Sequence, residues 1–328
     1  MSGAPAPRMR AAVQPGYGPP SVVRVDEVDR PEPGDGELLV RVRATTVNRT
    51  DCGYRAARPF LIRAVAGVRR PRHPVGGTEL AGDVVAVGAD VDRFAVGDRV
   101  FAYVEGTFGA HAEYAVVPAT GSIAHIPADI TYEVAAPATE GAHYALSCVR
   151  WAKVVPGQRV LVYGATGAIG SAAVQLLRTM DVTVTAVCGT DHVELVQGLG
   201  PDRVVDYQTE DFTADEQRYD AVIDAVGKIT FGRCRHLLVP GGVYVSSELG
   251  PYAQNLFLAL VTPPLRRRHV RFPFPSVDQA MIERLAGLLE TGEYRPMIDR
   301  TYPLEEIVDA YTYVETGRKL GNVVVRLD

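Results

Sequence analysis

The chain has little cysteine, and what it has is scattered: Cys52, Cys148, Cys188 and Cys234 form no CxxC pair. That excludes a zinc knuckle and a disulfide framework, and it fits a reduced, cytoplasmic setting. Long apolar runs are missing too. The longest, Leu256 to Val261 continuing into TPPL, is too short to cross a bilayer. The basic cluster that follows from Arg266 reads as a solvated turn rather than a membrane contact. Positive charge is not in excess: a net charge of −5 over 328 residues argues against a polyanion-binding surface, so nucleic acid is not an expected partner. The N-terminal MSGAPAPRMR lacks an apolar signal core, and residues 1–8 read as a loose tail. A chain of this length has room for two domains.

What is present concentrates in Arg159 to Gly170, RVLVYGATGAIG, where an apolar strand meets three glycines spaced by three and SAAVQLL continues as a helix. A phosphate is held by amides at a helix N-terminus only if the backbone comes close to it. Gly164 would make the tight turn, Gly167 would face the pyrophosphate without a Cβ, and Gly170 would let the helix sit against the sheet. Ala165, Thr166, Ala168 and Ile169 complete the cradle. The bland alternative is an ordinary glycine turn. The flanks oppose it, because a second strand, Val182 to Cys188, follows at the distance a βαβ unit needs. DRVVDY from Asp202, DAVIDAVG from Asp220 and GGVYVSS from Gly241 repeat the alternation. The fold class is therefore α/β, with a doubly wound parallel sheet. Ligands in such sheets lie beyond the carboxyl ends of the strands, so Val226, Gly227, Ser246 and Ser247 are expected on the nicotinamide side.

Residues 9–130 have a different grain, with short strands such as LLVRVRA, DVVAVGA and DRVFAYV broken by PEPGDGE and GAD, as in a small β-rich domain. Residues 131–263 form the cofactor domain, and 264–328 return to the first domain through two helices and a last strand, NVVVRLD. HVRFPFP from His269 alternates apolar residues with prolines as an edge strand does, and a second subunit is the simplest cover for it.

With these motifs in view, the chain resembles the medium-chain dehydrogenase/reductase superfamily, in its zinc-free quinone-oxidoreductase-like branch. The resemblance rests on VNRTDCGYR from Val47, GTELAGDVVAVGADVDRFAVGDRVF from Gly77, GAHAEYAVVP from Gly109, the YGATGAIG loop, VVDYQTEDF from Val204 and VPGGVYVSS from Val239. It implies a GroES-like catalytic domain, a Rossmann domain, a cleft between them and a homodimer. Where zinc alcohol dehydrogenases of the superfamily carry a ligating Cys and His, this chain has Asn48 and Thr78, which bind zinc poorly, and a four-cysteine lobe is absent. No metal is expected. Asp51 and Glu79 read as polar scaffolding.

Without a metal, hydrogen-bond donors or water must polarise the substrate while the nicotinamide supplies hydride. The resemblance carries Asn48 over as a pocket residue, but the usual tyrosine position falls on Gly53, with Tyr54 one residue later. Tyr54, Thr78, His143 and Tyr144 are the other candidate donors. At the end of the second cofactor strand, Gly189, Thr190, His192 and Tyr207 point to NADPH, while Asp191 opposes a phosphate and keeps NADH open. KLGNVVV resembles the segment that reaches back to the cofactor, which adds Gly321 and Asn322. The expected activity is hydride transfer from NADPH to a quinone or an α,β-unsaturated carbonyl. The alternatives are a metal-free ketone or aldehyde reductase and a non-catalytic cofactor-binding protein of structural or transport type. The insertion Ala57 to Gly76, with Phe60, Leu61, Ile62 and Val65, suggests a bulky hydrophobic substrate.

Overall fold

The computed structural model describes residues 7–263, 267–275 and 277–327. The expectations for residues 1–6 and for Arg266 lie outside them, as do the side chains of Leu61 and Val65. Arg8, expected at the end of a loose tail, instead begins the first strand and bonds Asp29 across it. In chain order the strands are β1 (Arg8–Val13), β2 (Arg24–Asp29), β3 (Glu37–Val47), β4 (Glu79–Val87), β5 (Arg99–Tyr103), β6 (Tyr114–Pro118) and β7 (Ser122–His125). They continue with β8 (Arg159–Tyr163), β9 (Thr183–Cys188), β10 (Arg203–Asp206), β11 (Tyr219–Asp224), β12 (Leu238–Ser246), β13 (His269–Arg271), β14 (Ile298–Pro303) and β15 (Asn322–Arg326).

The chain forms two compact units. The first comprises Met1–Glu140, Val277–Thr291 and Ile298–Asp328; the second comprises Gly141–Ser276 and Gly292–Met297. The division falls at Glu140 rather than at residue 131 because the Glu140 amide, like that of Thr139, is hydrogen-bonded to Glu79 at the start of β4. A buried carboxylate thus holds Glu140, where the Glu140–Ala152 helix begins, within the β-rich unit.

In the first unit, strands run in the order β14-β15-β3-β4-β5-β7, with β6 also paired to β3 and β1–β2 as a separate antiparallel ribbon. Alternate residues of β3 and its neighbours, among them Leu38, Val40, Val42, Leu80 and Val100, point into one core closed by Ile307, Tyr311 and Val314 of the Ile307–Glu315 helix. In the second unit, six parallel strands stand in the order β10-β9-β8-β11-β12-β13. This is the doubly wound order, which reverses between β8 and β11. Val160, Leu161 and Val162 of β8 are fully buried, as expected of a strand covered on both faces. The short strand β13 closes one edge, where the proline-punctuated segment was placed.

Candidate active site

In the first unit the chain turns at Asn48 from β3 into the Arg49–Ala56 helix. The sequence N-x-x-D makes this turn by a reciprocal capping box: Asn48 Oδ1 accepts from the Asp51 amide, and Asp51 Oδ2 accepts from the Asn48 amide. That fixes the Asn48 side chain, whose Nδ2 then donates to Thr78 Oγ1 at 2.8 Å and reaches Glu79 Oε2 at 3.5 Å. Thr78 in turn donates to Asp51 Oδ1 at 3.5 Å. The two residues standing where zinc ligands would stand are therefore bonded to each other. Both are buried, and the hydrogens of Asn48 and Thr78 are spent within the cluster.

Glu79 is fully buried and collects five donors. Oε1 accepts from the Thr139 amide at 3.2 Å, Thr139 Oγ1 at 2.7 Å and the Glu140 amide at 2.6 Å; Oε2 accepts from Thr46 Oγ1 at 2.6 Å and from Asn48. Glu140 contrasts with it. Its Oε1 accepts from Thr50 Oγ1 at 2.6 Å, but its buried Oε2 has no hydrogen-bond partner. Burial pushes both carboxyls up, and the charge of Glu79 pushes Glu140 further. Donors favour the ionised form, so the charge of the pair is better supported on Glu79 than on Glu140. Asp51 is also raised well above the usual carboxylate range, by burial and by Glu79, against its bond from Asn48.

His111 backs this cluster. Its Nε2 donates to the Thr46 carbonyl at 2.7 Å and lies 3.8 Å from Asp51, while Nδ1 faces the Tyr311 hydroxyl at 3.3 Å. Burial pushes His111 down to about 4, so the ring is neutral.

Tyr54 lies in the Arg49–Ala56 helix. The ring stacks on Phe108 at 4.0 Å, and its hydroxyl is bracketed by the His73 amide at 3.1 Å and carbonyl at 3.4 Å. His143 and Tyr144 belong to the second unit, ring against ring at 4.3 Å. Asn322 begins β15 in the first unit, buried, just after Gly321 in the left-handed region.

In the second unit, β8 leads to Gly164 at a φ of +84°, and the Ala168–Arg178 helix begins after Gly167. The Gly164 and Ala165 amides bond the Val187 carbonyl, and the Gly167 amide returns to Gly164. A Cβ on Gly170 would sit 2.1 Å from the Gly164 carbonyl, whereas one on Gly167 would meet nothing nearer than 3.7 Å. Gly170 is thus required by packing, while the space over Gly167 is open and faces the start of a helix whose first amides, at Ala168, Ile169 and Gly170, have no carbonyl of their own turn. That is the cradle a dinucleotide pyrophosphate fits. Thr166 sits in the loop between them.

Val226 packs on Gly164, and the amides of Val226 and Gly227 bond Asp224 at the end of β11. Ser246 is fully buried with its hydroxyl 3.4 Å from Asp224, and Ser247 follows it beyond β12. At the end of β9, Gly189 lies against Tyr207 and Gln208; the Thr190 hydroxyl donates to Asp206 at 2.6 Å; His192 closes the short turn.

Comparison with known proteins agrees with this geometry. A family described as alcohol dehydrogenase GroES-like domain matches residues 34–128, and one described as zinc-binding dehydrogenase matches residues 199–325. The chain is 30% identical to the chloroplastic quinone-oxidoreductase QR1 of Triphysaria versicolor, over 97% of this chain and 98% of that one. It is 31% identical to a quinone oxidoreductase of Pseudomonas aeruginosa, over 94% and 97%. The structure of the quinone oxidoreductase from Coxiella burnetii superposes with a TM-score of 0.87 at 25% identity, covering 98% of this chain and all of that one. The chain belongs to the medium-chain dehydrogenase/reductase superfamily, in its quinone-oxidoreductase-like branch. It is an NAD(P)H-dependent oxidoreductase of that branch.

Within this superfamily member, sequence reasoning missed Thr46, Thr50, His111, Thr139, Glu140 and Lys319 of the first unit. No local pattern marks them, because each gains its role from contacts tens of residues away. One compositional signal exists: the chain has three lysines, Lys153, Lys228 and Lys319, among 34 basic residues. Among the described residues no three His, Cys, Asp or Glu side chains assemble into a metal-holding group, and no helix is long and apolar enough to cross a membrane.

Proposed function

We propose that the protein is a zinc-independent, NADPH-dependent reductase that transfers hydride to a quinone or an α,β-unsaturated carbonyl. The observation that carries the reading is the Asn48–Thr78 hydrogen bond, which places an amide and a hydroxyl, rather than metal ligands, at the centre of the buried cluster. Bound NADPH supplies the hydride; the loop from Gly164 to Gly170 would hold its pyrophosphate. Asn48 and Thr78, bonded to each other and to Asp51 and Glu79, would form the rigid polar backing of the acceptor site, with the Thr50–Glu140 pair beside them. One relative, a trans-enoyl reductase of Aspergillus terreus that is 30% identical over 90% of this chain, fits the enone arm.

NADH is the second reading, and a specific observation favours it: Asp206 takes the Thr190 hydroxyl and puts a carboxylate beside the position a 2′-phosphate would occupy. NADPH is preferred here because the end of β9 carries Gly189 rather than a carboxylate. The proposal includes a homodimer that covers the β13 edge, a hydrophobic acceptor, and a reducing, cytoplasmic setting suited to four free, buried cysteines. The test is oxidation of NADPH and NADH by chelator-treated protein with an ortho-quinone and an enone. Turnover that survives chelation supports the reading, and turnover restored only by zinc overturns it.

A further inference from the structure

Three lysines among 34 basic residues mean that this chain uses arginine wherever a cation alone will serve. Arginine cannot release a proton near neutral pH; lysine can. Lys153 and Lys228 are exposed, whereas Lys319 is half-buried in the turn between the Ile307–Glu315 helix and β15. That turn is pinned: the Leu320 amide donates to Asp299 at 2.9 Å, and Gly317 and Gly321 adopt φ values of +68° and +67°. The Lys319 ammonium donates one hydrogen to the Gly321 carbonyl and has no carboxylate within 4.0 Å among the described residues.

The charged groups that face it come from four elements. Glu140 and Glu79 attract it most, Arg49 opposes it, and Asp299 of β14 adds a weaker attraction. Glu140 Oε2 is the one acceptor of the carboxylate pair without a donor, and Glu140 is the strongest attraction on the Lys319 ammonium. The register supplies the geometry: Val323 of β15 pairs with Val47 at the end of β3, so the turn that carries Lys319 into β15 adjoins the turn at Asn48, and without a direct ion pair the ammonium keeps hydrogens to give. Burial pulls its amine down to about 8, so it is charged at neutral pH and gives up its proton readily.

We propose that Lys319 is the proton donor of this site, delivering its proton to the acceptor oxygen on which negative charge develops; the inference rests on the reductase reading above. When hydride adds to the β-carbon of an enone, the C=C electron pair moves toward the carbonyl oxygen as an enolate. The Lys319 N–H bond breaks, an O–H bond forms, and the neutral amine regains its proton from water. With a quinone, the hydroquinone monoanion left by hydride transfer takes the same proton.

The test combines a direct readout and a kinetic one. Protein labelled with [6-13C]lysine should show three ε-carbon resonances, one of which Lys319→Arg removes, and that one should titrate near 8, while the other two follow ordinary lysines at about 10.4. With either acceptor, kcat should fall above the same pH in the wild type. Lys319→Arg should lose that falling limb at reduced kcat. Lys319→Met should lower kcat by roughly 10²–10⁴ with the NADPH Kd unchanged. Near-normal kcat in Lys319→Met, a raised NADPH Kd with kcat retained, or an ordinary lysine titration of the assigned resonance overturns the proposal. Absence of turnover by the wild type with both acceptors is a different result: it removes the reductase reading itself. The wild-type titration and Lys319→Arg keep the inference testable if Lys319→Met does not fold.

Discussion

Replacing Glu79 separates a charged hub from a merely polar one. Its carboxylate accepts five hydrogen bonds in a fully buried setting, three of them on Oε1. In Glu79→Gln the amide oxygen keeps those three, and the new NH2 turns toward Thr46, whose hydroxyl rotates to accept. Each retained bond falls from charge-assisted strength to neutral strength, a loss of about 1 kcal/mol apiece, or roughly 3 kcal/mol in all. Removing a buried negative charge beside Glu140 and Asp51 returns part of this, leaving a net cost of about 2 kcal/mol. Glu79→Ala has no such rescue: two buried amides lose their acceptor at about 1–3 kcal/mol each and a cavity opens, for a total near 5 kcal/mol. Equilibrium urea unfolding at pH 7, followed by circular dichroism, measures both. A Gln variant as costly as the Ala variant, or one more stable than wild type by over about 1 kcal/mol, refutes the claim that charge-assisted bonds to Glu79 hold this cluster together.

Three further outcomes follow from the same geometry. Gly170→Ala drives a Cβ to 2.1 Å from a backbone carbonyl and should unfold or strongly destabilise the second unit, whereas Gly167→Ala, with nothing nearer than 3.7 Å, should leave the melting temperature nearly unchanged. Cofactor titration of the folded Gly167→Ala protein should still show weakened binding, because the methyl fills the pyrophosphate's place. His111, held down to about 4 against an ordinary 6.5, stays neutral when the unfolded chain protonates, so stability is full above pH 6.5 and is lost as pH falls toward 4. The loss is about 3 kcal/mol by linkage and should vanish in His111→Gln in urea titrations across that range. Glu140 has the opposite sign: its folded carboxyl is raised, so the wild type loses stability as pH climbs above the unfolded value of about 4.3. Glu140→Gln should therefore gain stability over wild type at pH 8 and differ little at pH 4, as read by the unfolding midpoint.

The cofactor unit was legible because its signals are local. The strand into Gly164, the three-residue glycine spacing and the next strand within a βαβ interval are contiguous in sequence, and the parallel order of β8 to β13 follows from that alternation. Asn48 and Thr78 were legible by motif, but their bond to each other was not, because 30 residues separate them and β3–β4 pairing alone brings them together. The surroundings of Tyr54 were legible only in part. The N-x-x-D pattern beginning at Asn48 is a helix-start signal that places Tyr54 on a helix one turn past Asp51, whereas its stacking on Phe108, 54 residues away, comes only from the fold.

Glu140 and Lys319 were the least legible of all, and for one physical reason. A buried carboxylic acid and a loosely held amine look like surface residues in sequence; only the fold removes their water. The tertiary contacts that make them unusual also set their proton affinities: Glu79 raises Glu140 by its charge, and the pair keeps Lys319 protonated against a burial that pulls it the other way. A group whose ionisation depends on two others across the sheet will shift when either is changed. Glu140→Gln removes one source of attraction on Lys319, so the assigned Lys319 resonance should titrate lower in that variant than in the wild type. If it titrates at the same pH, the carboxylate pair and the lysine are electrostatically independent, and the fully buried cluster serves stability alone.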